Sequence, residues 1–371
     1  MQSLDNNIQA FLALVRAGLW ETDVQLLQYG RIDFKEIYRL AEEQSVVGLV
    51  AAGIEHVVDC KIPKENLLQF VGQALQLEQR NLSMNLFVAE IVNKLREKDI
   101  YSLLVKGQGV AQCYERPLWR SCGDIDLLLS NDNYFAAKGF LSSIADEVAN
   151  EDSSKKHLAL VINGFDVELH GKMPFGLSKR VDKGIDDVLN NLFYGGNVRS
   201  WMNNKTMVFL PSPDNDVILV FTHFLHHFFI EGVGLRQICD WCRLLWTYRE
   251  TLNRTLLESR IRKMGLLTEW KTFGALAVEY LGMPEEAMPL FNINDNHNAY
   301  FKKKAEKVLK RVLKTGNFGH NNDLSYRSKY KGVSYKLVAA WRRLWEFVTL
   351  TPVFPMDAPK YYMTYILGKI L

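Results

Sequence analysis

The stretch DIDLLL, residues 124–129, puts two carboxylates one residue apart in a run of branched apolar side chains. An apolar run this short, closed by the turn and cap formers SNDN, reads as a buried β-strand. Residues i and i+2 of a strand share a face, so Asp124 and Asp126 project together. Like charges this close repel, and burying them unpaired costs on the order of several kcal/mol. A divalent cation relieves that cost directly, because hard carboxylate oxygens are what Mg²⁺ takes, usually together with substrate phosphates. Two solvated acids on an exposed strand are the plain alternative, and the buried-strand pattern of Leu127, Leu128 and Leu129 argues against it.

Two further stretches bear on the same chemistry. HLALVINGFDVELH reads as two strands around Asn163-Gly164, a dipeptide suited to a two-residue type I′ turn. In FDVELH, Asp166, Glu168 and His170 alternate onto one face, with Phe165, Val167 and Leu169 on the other. A neighbouring strand would bring Glu168 or Asp166 beside the first pair. Three carboxylates from two strands can hold two metal ions about 3.5–4 Å apart, which clamps the attacking and leaving oxygens of a phosphoryl-type transfer. Upstream, YSLLVKGQG places Gly107 and Gly109 between a strand and a helix. Backbone amides at such a helix start bind phosphate, and Lys106 adds a point charge.

Residues 1–98 show apolar positions at three- and four-residue spacing, as in DFKEIYRLAEEQSVVGLVAAGIEHV, and read as helices. From residue 99 the period changes: three or four strands alternate with the helical patterns GVAQCYERPLW and NYFAAKGFLSSIADEV, an α+β unit. After about residue 172 the pattern is helical nearly to the end, beginning with PSPDNDVILVFTHFLHHFF. TGNFGHNNDLSYRSKYKG reads as a long loop. The expected division is a helical region at 1–98, the α+β domain at 99–200 and a helical domain at 201–371.

The order of these parts resembles the polymerase-beta-like nucleotidyltransferase superfamily: a glycine turn, a helix, an hDhDh strand (h, hydrophobic), then an acid on a later strand. More narrowly, KGQGVAQCYERPLWRSCGDIDLLL followed by VELH is similar to a bacterial family described as uncharacterised nucleotidyltransferases. Its members carry K-G, Y-x-x-P-x-x-R, D-I-D-L-L-V and an acid-Leu-His strand. The likeness is dense over about residues 103–170. It implies a small mixed or antiparallel palm sheet flanked by helical regions. It also implies that Asp124, Asp126 and Glu168 are catalytic ligands of two Mg²⁺ ions (or Mn²⁺), and that Lys106, Gly107, Gln108 and Gly109 face a nucleoside triphosphate. Arg120 matches the family arginine and would steady the loop or the phosphates.

The implied reaction is attack of an acceptor hydroxyl or phosphate on the α-phosphate, releasing pyrophosphate. Glu168 would then lie nearest the attacking oxygen and is a candidate base. Asp166, His170, Lys172, His223 and His227 are candidates for supporting contacts or the acceptor pocket, with Lys179 and Arg180 as further phosphate partners. The acceptor is open: a small molecule, a protein or peptide, or an RNA end. Two positions depart from the family. Its turn is usually Gly-Gly or Gly-Ser where this chain has Gly107-Gln108, and its acid-Leu-His strand commonly ends on a bulky aromatic where Gly171 stands.

Other features weigh less. VILVFTHFLHHFFI is interrupted by histidines and too short to span a bilayer, and the first twenty residues read as a helix, not a signal peptide. Five cysteines without framework spacing suit a reducing, cytoplasmic setting. Cys239 and Cys242 lie in a helical pattern and read as packing. His223, His227 and Glu231 share a helix face, which admits a metal triad or, more plainly, histidines packed at the edge of the α+β unit. Arg236 and Asp240, four apart, read as a helix pair. From Lys302 to Arg343, thirteen Lys or Arg stand against two acids, a face for a polyanion or simply a solvated one. The tail VAAWRRLWEFV admits nucleic-acid or membrane-surface binding beside ordinary helix packing. Two rival functions remain: a D-x-D glycosyltransferase, which needs neither the glycine turn nor the later acid, and a nucleotide-binding module without turnover.

Overall fold

The structure is a computed structural model and describes residues 5–173, 176–195, 197–291, 298–322, 329, 332–355 and 358–363. It opens with α1 (Asn6–Trp20), α2 (Phe34–Glu43), α3 (Val47–Glu55) and the long α4 (Lys64–Arg96). Asp5 and Asp33 cap α1 and α2 by accepting the backbone N–H groups of Asn7 and Lys35. Helices α1 and α3 meet backbone to backbone. A Cβ on Gly18 would lie 1.9 Å from the Leu49 carbonyl oxygen, and one on Gly53 2.0 Å from that of Leu14.

The middle of the chain runs β1 (Ser102–Val105), α5 (Gly107–Ala111), β2 (Ile125–Leu129), α6 (Asn131–Ser142), β3 (Glu147–Val148), β4 (His157–Ile162), β5 (Phe165–His170), α7 (Lys179–Tyr194), β6 (Val198–Asn203) and β7 (Thr206–Pro211). Among the described residues these strands form one mixed sheet of seven, in the order β3-β4-β5-β2-β1-β7-β6. Helices α8 (Pro213–Ile230), α9 (Leu235–Thr247), α10 (Arg254–Met264), α11 (Leu267–Leu281), α12 (Asn298–Thr315) and α13 (Gly332–Leu350) follow. The fold class is α+β, a mixed sheet flanked by helical regions.

Three local expectations need comment. The β4–β5 hairpin turns at Asn163 and Gly164, both left-handed at φ 51° and 75°, and pairs in register from Ile162↔Phe165 to His157↔His170. The chain is not helical directly after residue 172: β6 and β7 form a second hairpin, and β7 adds to β1 in parallel at Leu103↔Phe209. The sheet therefore continues past residue 200. GVAQCYERPLW is helical only over α5, after which the chain loops through a 3₁₀ turn at Pro117–Trp119.

Side-chain alternation splits the sheet into two faces. Ile125, Leu127, Leu129, Leu158, Leu160, Val167 and Leu169 pack under α4 and α6, against Met84, Phe87, Val88 and Tyr134. Val105 and Leu128 point the other way, into the core shared with α8 and α9. Asp126, Glu168 and His170 lie on that second face. Cys239 and Cys242 are buried in α9, where burial pushes both thiols up, as packing residues require. Residues 323–328 and 330–331, part of both the long-loop stretch and the basic stretch, lie outside the described residues. No helix among the described residues is long and apolar enough to cross a membrane.

Candidate active site

The register of three strands assembles the acids. Asp126 sits opposite Val105 on antiparallel β1 and opposite Glu168 on parallel β5. Asp124 lies just ahead of β2, and ligand oxygens of Asp124, Asp126 and Glu168 all fall within 4.8 Å of one another. Lys106 Nζ is 2.7 Å from Oδ1 of Asp126, and His170 Nε2 is 2.8 Å from the same atom. His157 and His170 approach Oε2 of Glu168 at 3.1 and 3.3 Å.

The electrostatics follow from these contacts. The Asp126 charge, then burial, raises the Asp124 carboxyl above its ordinary range. Burial would do the same to Asp126, but Lys106 and His170 outweigh it and hold that carboxyl low. Hydrogen bonds from His157 and His170 hold Glu168 far below the carboxylate range. Burial opposes charge on Lys106 and on His170, yet the neighbouring carboxylates win in both cases and raise them. These contacts hold Glu168 as the carboxylate.

The glycine turn brings Lys106 to this cluster. Lys106 has φ 56° and Gly107 φ 35°, so β1 hooks into a left-handed turn directly after the Val105↔Asp126 pair. A Cβ on Gly107 would lie 3.3 Å from the Asp124 carbonyl oxygen. Gln108 does not face the site: its buried amide donates to Asn81 Oδ1 at 3.0 Å. Asn81 in turn donates to the carbonyls of Leu118 and Arg120, each at 2.7 Å, so this pair ties the turn and the Arg120 loop to α4. Gly109 packs against Leu210 of β7 and also lies off the cavity wall.

A cavity of about 310 Å³ is lined by Lys106, Gly107, Asp124, Asp126 and Glu168, with His223 and His227 of α8 and Arg236 of α9 opposite. A neighbouring cleft of about 470 Å³ shares Asp124, Glu168, Arg236 and Phe318 with it and opens along β4 and β5 past Arg80 and Asp166. The acids thus stand between two openings. On the far wall Lys106 Nζ reaches His223 Nε2 at 3.3 Å, and His223 Nε2 lies 3.1 Å from His227 Nε2. Burial and then the Lys106 charge push His223 well below its usual value, so it is a neutral partner of Lys106.

Two arginines divide the positive charge. Arg120 is buried and bidentate to Asp240, at 2.8 and 2.7 Å, with the Tyr114 hydroxyl donating to the same carboxylate. Asp240 is therefore the partner of Arg120, and the helix pair Arg236–Asp240 read from the sequence does not form. Arg236 instead donates to the Ser121 carbonyl at 2.6 Å, while its Nε is buried without a hydrogen-bond partner.

One family profile, described as uncharacterised nucleotidyltransferase, matches residues 30–282, from ahead of α2 to the end of α11 and across the whole acid cluster. The chain belongs to the uncharacterised nucleotidyltransferase family. No curated protein and no solved structure matches it. In this nucleotidyltransferase the space beside Gly171 is filled from elsewhere: a Cβ there would lie 2.8 Å from Lys156 Cβ and 3.0 Å from the Tyr134 ring.

Some residues singled out in the sequence fall elsewhere. Asp166 is exposed on the second cleft, and Lys172 is exposed and lines neither opening. Arg180 donates to the carbonyls of Arg262 and Lys263, capping α10, and Lys179 is exposed. The candidate site residues of the sequence do not include His157, Arg80 or Phe318. The hairpin did carry a signal for His157: with the turn fixed at Asn163-Gly164, counting outward pairs it with His170.

Proposed function

We propose that this nucleotidyltransferase uses Mg²⁺ to move a nucleoside monophosphate from a triphosphate to an acceptor, releasing pyrophosphate. The reading is carried by Asp124, Asp126 and Glu168 converging within 4.8 Å on the cavity that the Lys106–Gly107 turn also lines. Three carboxylates form a hard, all-oxygen donor set that fits Mg²⁺ or Mn²⁺. Bound there, such ions supply Lewis-acid stabilisation of the attacking and leaving oxygens.

The side chains account for the rest. Gly107 leaves the backbone open to phosphate, and Lys106 contributes a point charge beside it. Arg236, lining both openings with its counter-ion taken by Arg120, supplies the cation for phosphate oxygens. Phe318, 46% exposed, offers a nucleobase an apolar wall. The cleft along β4 and β5 gives the acceptor its own approach to Asp124 and Glu168.

Purified protein incubated with each labelled triphosphate and Mg²⁺, beside Asp126→Asn, tests the reading. Pyrophosphate release or label transfer by wild type alone supports it, and equal signals from both proteins refute it. A second reading, nucleotide binding without turnover, is favoured by Lys106 and His170 already holding Asp126 at 2.7 and 2.8 Å, as a standing cation would. Saturable triphosphate binding with no product in cell extract would select it.

A further inference from the structure

His157 opens β4, His170 closes β5, and the hairpin register makes them direct cross-strand partners. Their ring centroids lie 4.9 Å apart, and Glu168 shares their face. Both Nε2 atoms approach the same oxygen, Oε2 of Glu168, at 3.1 and 3.3 Å. One ligand atom from each of the three lies within 4.8 Å of the others. A tetrahedral site with metal–ligand bonds of about 2.0–2.2 Å has edges of about 3.3 Å, so the trio already stands close to ligating separations.

We propose that His157, Glu168 and His170 form a second cation site, selective for a borderline-soft ion of the zinc class. The donor set differs in kind from the neighbouring acids: two imidazoles and one carboxylate suit Zn²⁺ or Co²⁺, whereas three carboxylates suit Mg²⁺. All three ligands stand on one rigid, fully paired hairpin. His157 and Glu168 remain 34% and 31% exposed, which leaves an approach from solvent and room for a fourth ligand. The site is coupled to the acid cluster, because the Glu168 carboxylate belongs to both groups and an ion held by one competes for it with the other. Zn²⁺ and Mg²⁺ therefore weaken each other's binding. The row of His223, His227 and Glu231 is not an equivalent site: His227 turns Nε2 to His223 and Nδ1 to Glu231, and one ring cannot offer both nitrogens to one ion.

The test uses no nucleotide, so it stands apart from the proposed transfer reaction. In the chelator-stripped whole chain, Zn²⁺ should shift the Nε2 resonances of His157 and His170 in long-range ¹H–¹⁵N spectra. Co²⁺ should give a visible d–d band whose affinity drops more than about tenfold in His157→Gln and stays close to wild type in Asp124→Asn. Shifts confined to His223 and His227, an unchanged Co²⁺ affinity in His157→Gln, or its loss in Asp124→Asn overturns the assignment. The wild-type spectra decide the matter if His157→Gln folds poorly.

Discussion

Asp124→Asn separates what the acid cluster costs the fold from what it is for. The ligand oxygen of Asp124 lies within 4.8 Å of those of Asp126 and Glu168. At that separation and an effective dielectric of about 20, each like-charge pair repels by roughly 3.5 kcal/mol. Lys106 offsets part of this, but its ammonium is bonded to Asp126. Asp124 is also partly exposed, and solvent screens its share. We expect removing its charge to stabilise the metal-free protein by about 1–2 kcal/mol. Mg²⁺ should reverse the ranking, since a ligand at about 100 times its Kd adds about 2.7 kcal/mol to the native state that binds it. Thermal melts in chelator and along a Mg²⁺ titration read both effects. Asp124→Asn should melt a few degrees higher than wild type in chelator and respond far less to Mg²⁺. A lower midpoint in chelator, or equal Mg²⁺ shifts in the two proteins, would refute the reasoning.

Three further outcomes follow from the same geometry. Arg236→Gln should raise the KM for triphosphate by about 10- to 100-fold, the worth of a charge-assisted hydrogen bond in a desolvated site, with little change in melting temperature; steady-state kinetics and melts check it. Arg120→Met should cost about 3–5 kcal/mol by stranding the buried Asp240 carboxylate, and adding Asp240→Leu should restore most of it, measured by chemical denaturation. Gly53→Ala should destabilise by at least about 1–3 kcal/mol, because its Cβ would sit 2.0 Å from the Leu14 carbonyl oxygen and α1 must move away from α3.

The centre of the fold was legible in the sequence because its constraints are local. Period-2 alternation and the Asn163-Gly164 dipeptide fix β4, β5 and the face that carries Glu168. The apolar run after Asp124 fixes β2. The β6–β7 hairpin was not legible: it turns at Asn204 and Lys205, at φ 44° and 70°, without the glycine that usually marks such a turn. Its strand β6 interleaves polar and apolar residues and is mostly exposed or partly buried up to Asn203, so no apolar run announces it. The side chain of Gln108 is illegible for a different reason. Position beside a glycine turn says where a backbone goes, whereas the direction of this side chain depends on Asn81, 27 residues upstream on α4. Likewise Asp240 stands four residues from Arg236 but pairs with Arg120, a choice made by the packing of α9 on the loop and not by helix spacing.

A crystal grown with Mn²⁺ and a non-hydrolysable triphosphate, with data collected at the manganese edge, is the most direct measurement. Anomalous peaks about 2.1 Å from carboxylate oxygens of Asp124, Asp126 and Glu168 are expected, with the triphosphate along Lys106 and Gly107. Nucleotide bound elsewhere, or no peak among these carboxylates while Lys106 still holds Asp126, would contradict a shared cation at this site.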